Sequence, residues 1–198
     1  GMSTKTMGIQ MTRLLSAFHY QQWVIESHFP DHEKLEYLFD GLEDNRAPNQ
    51  TTATNNGIQH YYTNEEIEDV ADMVRTRTNE LLAEQKSPVS AGELDHAWTI
   101  TYNPGGWQAL HSHSYRYNII STVLYFDTNE SENTSNGALY SIFSEPDGDQ
   151  LVNVYPYWAG KFVVMEGAIF HGAYPTTSTR RCLIIDFKQE INDNTNTK

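Results

Sequence analysis

Residues 96–127 read HAWTITYNPGGWQALHSHSYRYNIISTVLYFD. Runs rich in Trp, Thr, Ile, Val and Tyr stand on either side of a Pro-Gly-Gly turn signal, a pattern that favours strands over helix. Downstream, GALYSIF (137–143), LVNVYP (151–156), KFVVME (161–166) and RCLIIDF (181–187) continue it, with turn-rich segments between them. A spacing of roughly 10–15 residues between such runs predicts an antiparallel sandwich or barrel.

Upstream of residue 96 the periodicity differs. Residues 13–28 mix apolar and polar positions in a strand-like way. Asp31 is placed to cap a helix whose Leu35, Leu38, Phe39 and Leu42 share one face. Residues 44–60, rich in Asn, Thr and Gly, read as a long irregular connection. Thr63 and Glu66 form a capping box ahead of Ile67, Val70, Val74 and Leu81, a helix that must end before Ser87-Pro88. Both helices are expected to pack outside a sheet and to carry no chemistry. The organisation expected is one domain: residues 1–95 buttressing, residues 96–188 forming the core, and residues 189–198 a disordered tail. Residues 128–136 (TNESENTSN) read as a polar, mobile loop.

Composition narrows the function. Hydrophobic residues make up 38% and charged residues 20%, the balance of a folded chain with a real core. No apolar run approaches the roughly 20 residues of a membrane span, and no signal-like start is evident, so a cytoplasmic setting without membrane attachment is the expectation. The net charge of −13 repels phosphate backbones and argues against general nucleic-acid binding. The single cysteine, Cys182, sits in an apolar run and reads as a core residue. Oligomeric state is not encoded in any pattern found.

Three histidines attract chemistry. His111 and His113 alternate on an extended segment, so both imidazoles reach one face and can share a metal ion. On spacing alone two surface histidines fit equally well. His171 follows an apolar strand and a glycine-containing turn; taken alone it reads as a hydrogen-bonded structural residue, but adding it to the pair makes a facial triad with open positions possible. Zinc hydrolases use three-histidine sites too, so the triad does not fix the metal. Arg181 opens the apolar run RCLIIDF and calls for an anionic partner if it is buried; an exposed strand-end arginine is the alternative, and Arg180 is read as exposed.

The segment 102–127 resembles the first half of the Fe(II)/2-oxoglutarate dioxygenase core, in which a Tyr-x-Pro-Gly turn leads to a strand bearing His-x-Asp. The segment 137–187 resembles the second half: GALYSIF, then Gly160, Phe170-His171, Pro175, Arg181 and Phe187 in the family's order. It is particularly similar to prolyl-hydroxylase-like members and to a branch of phages and marine bacteria that shows His-x-His. The resemblance covers about residues 96–188.

It implies a double-stranded β-helix (a cupin-like jelly roll), mainly β with N-terminal helices, and an oxygenase or hydroxylase using Fe(II) and 2-oxoglutarate. His111 and His171 would be iron ligands. Arg181 would bind the distal carboxylate of 2-oxoglutarate with help from Tyr125, and Tyr102 would line the pocket. At His113 most members have Asp or Glu, so His113 is either a third ligand, the reading favoured, or is turned aside for water. Glu166 and Asp127 are nearby acidic residues without the family's spacing. Trp107, Arg116 and Tyr117 flank the expected mouth and are candidates for contact with a small-molecule or protein substrate. Two rivals stay open: a cupin-like three-histidine dioxygenase that does not use 2-oxoglutarate, and a non-catalytic jelly-roll module that binds a ligand.

Overall fold

The computed structural model describes residues 12–15, 22–48, 52–113 and 118–192. Among the described residues ten strands form one curled antiparallel sheet: β1 (Arg13–Leu15), β2 (Val24–His28), β3 (Thr54–Tyr62), β4 (Val89–His111), β5 (Ile119–Tyr125), β6 (Leu139–Ser144), β7 (Gln150–Tyr155), β8 (Lys161–Glu166), β9 (Phe170–Ala173) and β10 (Arg180–Ile191). Their order is β1-β2-β8-β5-β10-β4-β9-β6-β7, with β3 also paired to β4. The first six strands in that order make the larger half of the roll, and the far end of β4 joins it to β9, β6 and β7. This is the jelly roll that the family resemblance implies, and it agrees with the antiparallel architecture expected from the strand pattern.

The two runs HAWTITY and WQALHSH, expected as separate strands, belong to the single long strand β4. Pro104-Gly105-Gly106 bends this strand without ending it. Gly105 takes a φ of 88°, a left-handed conformation that suits glycine, and its N–H bonds Thr176 O at 2.6 Å. A Cβ on Gly106 would lie 2.6 Å from Asn56 O. Across the bend β4 keeps β3 along one edge and changes partner on the other. It pairs with β10 up to Tyr102↔Arg180, then with β9 at Gln108↔Ala173 and His111↔His171.

The expectation for residues 44–60 is corrected, because β3 occupies 54–62. Its Asn- and Gly-containing start is a bulge, with a register shift between Asn55 and Gly57. The edge is covered by a side chain: Asn45 accepts from Tyr61 N–H and donates to Tyr61 O, imitating a neighbouring strand. The end of the chain also differs. β10 runs on to Ile191, paired with Val89, so ordered structure passes the expected boundary at 189; residues 193–198 of that expected tail lie outside the described residues. The 128–136 loop is bound to itself, with the buried Asn129 Oδ1 accepting from Ser131 N–H and from Asn136 Nδ2.

The helix α1 (Asn64–Glu84) forms where the periodicity places it, and Thr63 Oγ1 accepts from Glu66 N–H at its start. The shorter helix at His32–Phe39 is 3₁₀, with Leu35 and Leu38 buried. Asp31 does not cap it as expected: its backbone is left-handed and its side chain makes no cap bond.

Two cores lie on opposite faces of the larger half of the sheet. Outside, Ile67, Val70, Val74 and Leu81 of α1 join the cluster that contains Leu183, Ile185 and Phe187. Inside the roll, Ile100, Tyr102, Val123, Tyr125, Cys182 and Ile184 belong to a second cluster. Strand β5 is buried at every position because both its faces are covered. Among the described residues no helix is long and apolar enough to cross a membrane.

Candidate metal centre

Antiparallel pairing of β4 with β9 sets His111 directly opposite His171, and His113 follows two residues beyond His111. The chain is held there by His113 N–H bonding Gly167 O at 2.7 Å. One ligand atom from each of the three histidines lies within 4.8 Å of the others. His111 Nε2 and His113 Nε2 are 3.0 Å apart. Metal–nitrogen bonds of about 2.1 Å meeting at a right angle put their nitrogens about 3.0 Å apart.

The opposite nitrogen of each ring is occupied. His111 Nδ1 is 2.7 Å from Ala109 O, and His171 Nδ1 is 2.8 Å from Ile169 O. A carbonyl oxygen only accepts, so both rings carry the Nδ1 hydrogen and present a bare Nε2. His113 Nδ1 faces the Asp186 carboxylate, 2.9 Å from Oδ2. Three Nε2 atoms thus converge on a small space, and unshared lone pairs in such proximity repel unless a proton or a metal ion stands between them.

The electrostatics agree. Burial pushes the pKa of His111 down to about 4, helped by repulsion from His113, and burial lowers His171 well below the usual histidine range. His113 is also buried, which opposes charge, but Asp186 prevails and its pKa rises.

Arg180 stands on the same inner face of β10. Its side chain is 1% exposed, and its guanidinium lies over the Tyr102 ring at 4.4 Å and near Tyr125 and Tyr157, each at 5.6 Å. Nε and Nη2 of Arg180 and the hydroxyl of Tyr157 are buried without a hydrogen-bond partner. Among the described residues no carboxylate pairs with Arg180. Leaving a buried cation unpaired costs several kcal/mol, and an anion beside it would relieve that cost. Arg180 shares a cavity with His113, His171, Leu139, Val123 and Ile184.

Arg181, to which the family resemblance gives that role, points the other way. Its Nη2 is 2.9 Å from Asp127 Oδ1 and 3.1 Å from Glu36 Oε1, and the guanidinium lies against Phe39. Successive strand residues face opposite sides, and the pocket falls to Arg180. Arg180, read from the sequence as exposed, is therefore the buried one of the two. Tyr102 and Tyr125, both named from the sequence, are buried beside Arg180. Tyr157 is not singled out by the sequence, because nothing in the aromatic spacing of VYPYW (154–158) separates a pocket tyrosine from a packing one. Asp127 serves Arg181, and Glu166 serves Gln189 and Ala168 N–H, so neither acid reaches the histidines.

An open cleft of about 370 Å³ lies on the other side of His111 and His113. Gln59, Tyr61, Asp95, Trp98 and Gln108 line it. Trp107 is not among its lining residues; it is 43% exposed, and its neighbour Gln108 turns inward. Arg116 and Tyr117 lie outside the described residues.

No family model and no curated protein matches the sequence. Solved structures do match the fold. The non-haem α-ketoglutarate-dependent epimerase SnoN from nogalamycin biosynthesis aligns with a TM-score of 0.59 at 14% identity, over 93% of this chain and 90% of that one. A Trichoplax adhaerens prolyl hydroxylase, solved with a peptide of the hypoxia inducible factor oxygen degradation domain, gives 0.56 at 10% identity over 77% and 72%. OsALKBH1 gives 0.56 at 12% identity over 90% and 100%. The chain therefore has the jelly-roll fold of the Fe(II)/2-oxoglutarate oxygenases.

Proposed function

We propose that the protein is an Fe(II)- and 2-oxoglutarate-dependent oxygenase that oxidises a small-molecule or peptide substrate. The observation that carries this reading is the unpaired, buried guanidinium of Arg180 in one cavity with His113 and His171. A dicarboxylate answers both needs. Arg180 Nε and Nη2, both without a partner, would hold its distal carboxylate, a match that a guanidinium favours. His113 and His171, in the same cavity, would meet its other end.

His111, His113 and His171 would hold the iron. When bound, iron would couple O2 to the oxidative decarboxylation of 2-oxoglutarate, one oxygen atom entering the hydroxylated substrate and the other the succinate, with carbon dioxide released. The chain orients and shields. Tyr102 and Tyr125 wall the guanidinium from water, which strengthens its hold on a carboxylate. The apolar walls Leu139, Val123 and Ile184 keep the cavity dry. The cleft beyond His111 and His113, with Gln59, Tyr61 and Gln108 on its walls, is where the second substrate would bind.

One observation favours the rival without 2-oxoglutarate. Free volume in the Arg180 cavity is about 20 Å³, space for a single water. Entry of a five-carbon diacid requires the side chains around this cavity to move.

The test is an anaerobic titration of metal-free protein with Fe(II) and then 2-oxoglutarate, reading the visible charge-transfer band of the chelate. A band that needs both components, and is lost in Arg180→Ala, is the expected result. Iron binding with no response to 2-oxoglutarate would move the assignment to the three-histidine dioxygenase. Absence of iron binding would leave a ligand-binding jelly roll.

A further inference from the structure

The three histidines are not supported alike. His111 and His171 lean on neutral backbone carbonyls, whereas His113 leans on a buried carboxylate. Asp186 is 5% exposed and sits in β10 between Ser121 of β5 and His96 of β4. Its Oδ2 and Oδ1 lie 2.9 and 3.1 Å from His113 Nδ1, and Ser121 Oγ lies 3.1 Å from the same nitrogen. Among the described residues no lysine or arginine pairs with Asp186. A buried carboxylate with no cation beside it is costly, and its facing partner here is the imidazole that stands where the resembling family has Asp or Glu.

We propose that Asp186 is the positioning carboxylate of the metal centre. By accepting from Nδ1–H it fixes His113 with Nε2 toward His111 and His171. It also supplies, one residue further out, the negative charge that His-x-Asp sites place directly on the metal. The carboxylate has moved from β4 to β10 rather than disappeared. A carboxylate behind a ligating imidazole orients the ring and makes it a stronger donor. The inference rests on the metal reading given above.

Co(II) alone is the probe, added to metal-free full-length protein, with the intensity and position of its d–d bands and its affinity as readouts. Asp186→Asn keeps an acceptor for Nδ1–H but loses the charge. It should weaken Co(II) binding about 10- to 100-fold and shift the bands, with circular dichroism unchanged. Ser121→Ala, which leaves the carboxylate in place, should stay within about threefold.

The decisive comparison is a cycle with His113→Asp. On its own this variant puts two carboxylates together and should bind poorly. His113→Asp/Asp186→Asn restores a single carboxylate, now on the metal, and should bind more tightly than His113→Asp. A merely structural Asp186 predicts the reverse, a double variant weaker than either single one. Wild-type affinity and spectrum in Asp186→Asn, or that reversed order, would overturn the inference while leaving the three-histidine site intact. If Asp186→Asn fails to fold, the comparison of His113→Asp with the double variant decides. Failure of the wild-type protein to bind Co(II) would overturn the metal reading itself, and this inference with it.

Discussion

Arg180 and Arg181 leave β10 on opposite faces, and only Arg180 enters the roll. The first meets three tyrosine rings and no carboxylate; the second meets Asp127 and Glu36 at the surface. Arg180→Ala should weaken 2-oxoglutarate binding by about 2 kcal/mol or more, the cost of truncating one partner of a buried charge pair. Arg181→Ala should leave that affinity unchanged and lower stability by no more than about 1 kcal/mol, as for other exposed pairs. Calorimetric titration of the Fe(II)-loaded variants separates them; equal losses would return the role to both arginines.

Acid should destabilise the metal-free protein through its histidines. In the unfolded chain all three rings take up protons near 6.5, whereas in the folded chain His111 waits until about 4 and His171 resists further. The unfolded state therefore binds more protons in that window, and the stability these two rings contribute is lost as pH falls through it. His113 has the opposite sign: with its pKa raised, its contribution is complete below 6.5 and fades as pH climbs through the folded value. Two rings outweigh one on the acid side. Urea unfolding at about pH 7.5 and about pH 5 should differ by roughly 1–3 kcal/mol, and His111→Gln should shrink the difference. A pH-independent midpoint would contradict the assignment.

A second acid response should come from β3. Asp44 binds Arg46 at 2.5 Å, and Arg46 reaches Thr52, Thr54 O and Gly57 O, tying the 44–48 segment to the strand. The Arg46 guanidinium holds the Asp44 carboxyl down at about 2. Its contribution is present above the ordinary value near 3.8 and disappears as pH falls through about 2. The Asp44 side chain is a third exposed, so Asp44→Asn should cost less than about 1 kcal/mol near neutrality. Amide exchange of Gln59 N–H, which bonds Asp44 Oδ2, should speed up in the variant.

The outer core should answer to truncation in the usual way. Leu81 is fully buried between α1 and the sheet. Leu81→Ala should lose about 2–5 kcal/mol in chemical denaturation, with the Co(II) spectrum of the surviving folded protein unchanged, because this core lies on the face of the sheet away from the histidines.

The strands and α1 were legible because hydrophobic period and turn residues agree there. β3 was not, because its stability comes from backbone pairing with β4 and from Asn45, neither of which leaves an apolar stripe. The three histidines could be placed together from alternation and from the family's order. The sequence pointed to Arg181, whereas the arginine that faces the inside of the roll is Arg180, one position earlier, and one position in a strand reverses the facing of the side chain. In RCLIIDF both faces are buried, so apolar alternation could not settle which residues point inward. Asp186 carried the missing signal: an acid inside an apolar run needs a partner on the inner face, and Arg180 shares its parity.

β4 passes from one half of the roll to the other without a break, carrying Tyr102 under the guanidinium and His111 at the metal centre. β4 thus ties Tyr102, the cross-strand partner of Arg180, to His111 through one piece of backbone, with Gly105 in a left-handed conformation and Gly106 close against Asn56 between them. Such a strand works as a ruler. If a diacid binds as proposed, the spacing between its two ends would be set in part by the fold's spine, and discrimination among four-, five- and six-carbon oxo-diacids would follow from it together with the side chains that must move to admit them.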